Sequence, residues 1–314
     1  MILVTGANGF VGSALVSTLA SVAKPTRASC RGNTIQAGID IETVTGIDLT
    51  ASSNFDQLLD GISVVIHTAA RVHVMDDRID NPLSAYRAVN VDGTRRLAQQ
   101  AAQHGVKRFI FLSSIKVNGE RTSEGQAFTA DMIPAPTDAY AQSKLEAENA
   151  LLKIAESTGM EVVIIRLPLV YGPGVKANFA RMIRWVSIGF PLPLGSINAN
   201  SRSMVGLDNL IDLVLICTTH RAAANQIFLV SDDEDLSTAA LLRRLAKAMG
   251  KPAYLLPIPL SILRLGAKLI GQAQSMRRLT DSLQVDIAKT KQMLAWQPPT
   301  SVDESLRRAV TKVI

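Results

Sequence analysis

Residues 5–12 read Thr-Gly-Ala-Asn-Gly-Phe-Val-Gly, directly after the apolar run Met1–Val4. Glycines at 6, 9 and 12 have separate uses. Gly6 permits a tight turn, Gly9 lets backbone approach a pyrophosphate, and Gly12 lets a helix pack close to the preceding strand. A helix beginning at Phe10 then points unpaired N–H groups at the phosphates. The stretch therefore demands a strand–turn–helix unit. It also places Gly6, Asn8, Gly9, Phe10, Val11 and Gly12 against a dinucleotide.

The pattern that follows extends this unit. Helical periodicity covers 10–22, with strand candidates at 26–31 and 45–48 and a stronger one at 63–67. A long helix is expected over 82–103, a strand over 108–112, a helix over 138–157 capped by Asp138, and a strand over 161–166. Such β-α-β alternation predicts an α/β fold, a doubly wound parallel sheet with helices on both faces. After Pro168 glycine and proline become dense and the alternation lapses, which predicts a smaller, loop-rich C-terminal lobe. Residues 227–230 are expected to return one strand to the first sheet. The expected division is 1–168 plus about 203–232 for the cofactor, and 169–202 plus 233–314 for the substrate.

Composition excludes several classes. Hydrophobic residues make up 47% and charged residues 19%, so the chain is globular. Aromatics at 4% and a net charge of only +6 argue against a nucleic-acid binder. Cys30 and Cys217 stand far apart in apolar surroundings, which suits a reducing, cytoplasmic compartment. No His/Asp/Glu cluster has metal spacing, so no metal is expected. The N-terminus already reads as strand, leaving no room for a secretory signal, and no apolar run is long enough to span a bilayer. Residues 255–270 read as a core or subunit-interface helix, with a helix on a membrane surface as the alternative.

The choice of dinucleotide rests on the end of the second strand. An NAD site commonly carries an acid there; this chain has Arg31, with Arg27 and Ser29 nearby. A guanidinium suits a 2′-phosphate, so NADP(H) is expected in preference to NAD(H). Asp48 and Leu49 are expected near the adenine. Thr68, Ala69 and Ala70 are small enough for the cofactor to pass closely.

Tyr140 and Lys144, four apart, share one helix face. A cation beside a phenol is expected to lower its pKa toward neutrality and produce an acid–base for a sugar hydroxyl or ketone. Ser113 and Ser114 end the strand about 25 residues earlier. Taken with TGANGFVG, HTAARV, NVDGT at 90–94, RLPLVYGPG at 166–174 and RSMVGLDNLIDL at 202–213, the chain resembles an extended short-chain dehydrogenase/reductase. The branch is the one acting on nucleotide-linked sugars. The resemblance implies a Rossmann-like cofactor domain, Tyr140 as the proton donor and acceptor at the sugar C4 oxygen, Lys144 on the nicotinamide ribose, and Ser114 on the same sugar oxygen. It places Asn90, Ser113 and Leu167 at the cofactor. Arg202, Asn178 and, more loosely, Arg277 or Arg278 would meet the diphosphate or sugar. His73 and Lys116 are further candidates to line the sugar site. A homodimer through helices 82–103 and 138–157 is also implied.

Two positions depart from the family. Asn118 stands where many members carry Tyr. Ile115 and Lys116 replace the Asp-Glu pair of 4,6-dehydratases, and neither can serve the acid–base work of dehydration. The expectation is therefore an NADPH-dependent 4-reductase of a UDP-linked 4-keto-6-deoxy (N-acetylamino) sugar in the synthesis of surface polysaccharide such as O-antigen. An NAD-dependent UDP-hexose 4-epimerase is the alternative, and a non-catalytic cofactor-binding protein a minor one.

Overall fold

The computed structural model describes residues 1–32, 41–72 and 81–311. Seven parallel strands form the main sheet: β1 (Ile2–Thr5), β2 (Thr26–Ser29), β3 (Ile41–Val44), β4 (Val64–His67), β5 (Arg108–Ser114), β6 (Glu161–Leu167) and β9 (Gln226–Leu229). Their spatial order is β3-β2-β1-β4-β5-β6-β9. The order reverses between β1 and β4, so a crevice opens beyond their C-terminal ends. The glycine turn after β1 and Thr68–Ala70 after β4 both lie at that crevice.

Both faces of the sheet are buried, which explains strands that read as apolar runs instead of alternating. Val4, Ala28, Ile66, Ile110 and Val163 join one core. Leu3, Val65, Phe109, Phe111 and Ile164 join the core on the other face. The first is covered by α1 (Phe10–Ser21) and α7 (Leu207–Cys217), the second by α4 (Thr94–Gln103) and α5 (Ala139–Thr158). The strand over 226–229 does return to the sheet, beside β6.

A third core gathers Tyr171, Phe179, Ile183, Leu242 and Leu306. It is built by the parallel pair β7 (Leu169–Tyr171) and β8 (Met204–Gly206) with α6 (Ala177–Ser187), α8 (Thr238–Ala248) and α12 (Val302–Thr311). The chain reaches it at the C-terminal end of β6, so this part overhangs the crevice side of the sheet.

Three elements differ from expectation. The third strand is Ile41–Val44, because Gly46 at φ +74 turns the chain immediately afterwards. The helix expected over 82–103 is interrupted: α3 (Pro82–Tyr86) passes into a π-helical stretch, Arg87–Gly93, before α4 begins. A Cβ on Gly93 would stand 2.7 Å from the Leu49 carbonyl oxygen, so only glycine lets this stretch seat against the sheet edge. The third is α9 (Leu260–Leu269), which buries only Leu263 and Ala267 and is not the core helix its apolar sequence suggests. Among the described residues, no helix is long and apolar enough to cross a membrane.

Candidate active site

The glycine turn is as tight as its sequence requires. Gly6 has φ +69, and a Cβ on Gly12 would lie 2.2 Å from the Gly6 carbonyl oxygen. Thr68 Oγ1 donates to the Thr5 carbonyl at 2.6 Å and binds the β4 loop to this turn. Gly9 precedes α1 without any side-chain cap, and the first turn of α1 carries no acid. Backbone N–H groups and the positive end of the helix dipole therefore face the crevice. These features fit the pyrophosphate of a dinucleotide. His67, beneath them, is fully buried between Thr5 Oγ1 (2.7 Å) and Thr94 Oγ1 (3.0 Å), and burial holds its pKa down at about 3. It is a neutral structural residue.

Of the two guanidinium groups offered for a 2′-phosphate, Arg27 is occupied elsewhere. It is buried, donates to the carbonyls of Gln57, Leu58 and Asp60, and pairs with Glu42 at 2.9 Å. Arg31 is exposed. The sequence from 32 to 40 adds no basic residue, so a phosphate dianion would meet one solvated cation.

The reacting end lies between β5 and α5. Asp138 caps α5, its Oδ1 accepting from Ala141 N at 2.7 Å, and thereby fixes Tyr140 in the first turn. Ser114, at the end of β5, lies beside Tyr140, and its hydroxyl acts to lower the phenol pKa. Leu167, its partner in β6, closes the floor beside it. Lys144 is buried one turn along α5, its ammonium 3.9 Å from the centroid of the Phe111 ring. Burial pulls the Lys144 pKa down to about 7, against the Glu148 charge, which raises it.

The expected lowering of the Tyr140 pKa is not found. Burial first, then the charge of Asp138 and the neighbouring Tyr86, push it up to about 12, with only the Ser114 hydrogen bond opposing. The ammonium of Lys144 rests on Phe111.

Several candidates serve as supports. Asn90, expected at the cofactor, accepts from Arg71 N (2.8 Å) and donates to Arg71 O (3.1 Å) and Ser143 Oγ (3.0 Å), joining the β4 loop to α5. Ser113 Oγ donates to Glu148 Oε1 at 2.5 Å. Lys116 Nζ pairs with Asp138 Oδ2 at 2.5 Å and stands 3.8 Å from Glu120. Arg202 is largely buried and donates to the Asp281 carbonyl at 2.9 Å, its pKa lowered by burial. Asn178 is exposed and bonded to Arg181. Arg277 and Arg278 are exposed in the last turn of α10 (Ala273–Thr280). His73 lies outside the described residues. Among the described residues no cluster of His, Cys, Asp and Glu could hold a metal ion.

Sequence reading missed the layer behind these groups. Arg166 and Glu148 form a buried pair, 2.7 Å apart, and Arg166 Nη1 also donates to Asn118 Oδ1 at 3.0 Å. Glu148 follows Lys144 by one helical turn, a spacing that could have exposed it. Arg166 closes an apolar strand and gave no such signal. Tyr86 was missed too: its ring meets that of Tyr140 edge-on at 5.9 Å, with Arg71 above it at 5.8 Å.

Comparison with known proteins agrees with this construction. The family model described as NAD dependent epimerase/dehydratase family matches residues 2–231. The chain is 48% identical over 307 residues to a UDP-glucose 4-epimerase from Vibrio cholerae, covering 98% of this chain and 93% of that one. MoeE5, solved in complex with UDP-glucuronic acid and NAD, is 25% identical with a TM-score of 0.77, covering 98% and 97% of the two chains. The UDP-glucuronic acid 4-epimerase from Bacillus cereus, solved with NAD, superposes at TM-score 0.79 with 22% identity over 99% of this chain and 98% of that one. These findings correct two expectations. The 4-keto reductase gives way to the epimerase alternative, since the relative at 48% identity is an epimerase. The preference for NADP(H), read from Arg31, gives way to NAD, which the solved relatives hold and which carries no 2′-phosphate. With the glycine turn and the Ser114–Tyr140–Lys144 group on one Rossmann-like sheet, the chain belongs to the NAD-dependent epimerase/dehydratase family of enzymes acting on sugar nucleotides.

Proposed function

We propose that the chain is a UDP-hexose 4-epimerase, of the UDP-glucose/UDP-galactose type, working with retained NAD. The observation that carries this reading is the match over nearly the whole chain to a UDP-glucose 4-epimerase. The geometry agrees with it in two respects. Ser114 and Tyr140 bring two hydroxyl groups side by side, as work on one sugar oxygen requires. The positions where a dehydratase needs a carboxylate pair hold the buried Ile115 and a lysine paired with Asp138.

When bound, NAD supplies the acceptor and donor of hydride. The chain's residues manage the proton. Tyr140 takes the proton of the sugar 4-hydroxyl while the C4–H bond breaks, Ser114 holds the oxygen of the resulting 4-keto sugar, and Tyr140 returns the proton once hydrogen has come back to the other face of C4. A phenol resting at about 12 must be brought down for this, so the reaction needs positive charge close to Tyr140 when the site is full. Lys144 is the fixed cation best placed to supply part of it. Arg202, Asn178, Arg277 and Arg278 would anchor the diphosphate while the sugar turns. We assign 1–168 with about 203–232 to the cofactor, and 169–202 with 233–314 to the sugar nucleotide.

The test is interconversion of UDP-glucose and UDP-galactose, or of their N-acetylamino counterparts, without net consumption of added cofactor. Tyr140→Phe should lower kcat by two orders of magnitude or more while leaving NAD bound, because one positioned proton carrier is lost and the ring remains. If neither pair of sugars is interconverted by the wild type, or if Tyr140→Phe stays within about threefold of it, this reading fails.

A further inference from the structure

The helix α9 presents an apolar stripe to solvent. At about 100° per residue, Ile262, Leu265 and Leu269 fall on one side and the buried Leu263 and Ala267 on the opposite one. Ile262 is 59% exposed, Leu265 60% and Leu269 79%; Ile270, just past the helix on the side of Leu263, is 73% exposed. Arg264 and Lys268 lie between the two sides and are exposed. The patch reaches beyond the helix: Tyr254 and Leu256 are exposed just before it, and the strand-like hydrogen bonds of Leu192 with Tyr254 (2.9 Å) and Leu256 (2.8 Å) bring the exposed Phe190 alongside. Scattered exposed leucines need no explanation, but a continuous array of this kind does.

Charge decides what covers it. Residues 251–280 contain Lys251, Arg264, Lys268, Arg277 and Arg278 and no aspartate or glutamate. A second copy meeting the same patch across a two-fold axis would set cations against cations with no acid to answer them. The stripe stands on a helix that lies on the protein by its other side, the form suited to entering the boundary between headgroups and acyl chains. We propose that α9 docks the protein on an anionic bilayer, its axis in the membrane plane, with Ile262, Leu265 and Leu269 in the apolar boundary and Arg264 and Lys268 among the phosphates. This goes beyond the proposed activity and does not depend on it.

The experiment is co-sedimentation of the full chain with vesicles of phosphatidylglycerol and phosphatidylcholine, against phosphatidylcholine alone. Retention is expected on the anionic vesicles, weakening as salt rises. Leu265→Glu with Leu269→Glu should reduce it tenfold or more, with the circular dichroism unchanged because both residues are exposed. Arg264→Gln with Lys268→Gln should reduce it roughly 25-fold, about fivefold for each cation removed. The proposal is overturned if the wild type stays in solution with anionic vesicles, or if the double glutamate variant is retained equally. It is also overturned if sedimentation equilibrium shows a dimer that this variant abolishes while vesicles bind nothing, which would give the face to a second copy.

Discussion

Two carboxylate–cation pairs brace α5, and they differ in almost everything but their chemistry. At the rear, two turns beyond Tyr140, the side chains of Arg166 and Glu148 are 3% and 2% exposed and joined at 2.7 Å, with Ser113 and Asn118 filling further hydrogen-bonding positions. In front, Lys116 and Asp138 are 34% and 32% exposed and joined at 2.5 Å. Water can replace either partner of the front pair. It cannot reach the rear one, so each of those charges exists only because the other is present. The rear pair therefore holds the ends of β5 and β6 against α5, while the front pair adjusts the start of α5 where Tyr140 sits.

The largest effect should come from the rear pair. Glu148→Ala strands the Arg166 guanidinium without a counter-charge and should cost about 3–5 kcal/mol of stability, measured by urea unfolding. Replacing both residues by methionine should recover much of that loss. If Glu148→Ala costs under about 1 kcal/mol, the distinction between the pairs collapses.

Lys144 sharpens the comparison, as a buried cation one turn from Glu148. Its folded pKa of about 7 lies below its ordinary 10.5. Between those values the unfolded chain holds a proton that the folded chain has released, so stability should rise with pH across this window and stay at its lower plateau below pH 7. The slope is at most about 1.4 kcal/mol per pH unit for one group. Unfolding of nucleotide-free protein at pH 6, 7.5 and 9, beside Lys144→Met, isolates it: the variant should be flatter, with its advantage greatest at pH 6. Parallel curves would mean that Lys144 stays charged in the folded chain.

The smallest effect belongs to the front pair. Lys116→Met should change stability by no more than about 1 kcal/mol. It should also leave the Asp138 charge less compensated beside Tyr140, so the limb of the pH–rate profile that follows phenol ionisation should move upward. A downward shift would show that Lys116 does not act through Asp138.

What the sequence displayed and what it concealed follow from range. The turn at Gly6–Gly12, the cap at Asp138 and the Tyr140–Lys144 spacing are local, each within one or two turns of chain; the structure forms the turn, the cap and the helix as expected, but not the lowered phenol pKa read from that spacing. The partner of Arg166 lies 18 positions upstream on α5, across a strand–helix contact, and no spacing rule reveals it. Arg27 and Arg31 look equally available for a phosphate until carbonyls from 57–60 are seen to occupy the first. At α9 hydropathy left a core helix, a subunit interface and a membrane surface open, because it scores side chains without saying whether a neighbour covers them. The stretch 87–93 reads as ordinary helix because a π turn shares nearly the same apolar rhythm.

That stretch makes segment length part of the catalytic architecture. Its wider turn sets the phase of the chain on either side, so that Asn90 reaches Arg71 and Ser143 while Tyr86 meets Tyr140. Deleting one residue would restore an uninterrupted α-helix, with better local hydrogen bonds, and would rotate everything upstream of the cut by about 100°. The Tyr86 ring would leave the phenol and the brace at Asn90 would open. Between Pro82 and Thr94 the protein can exchange side chains more readily than it can lose or gain a single peptide unit.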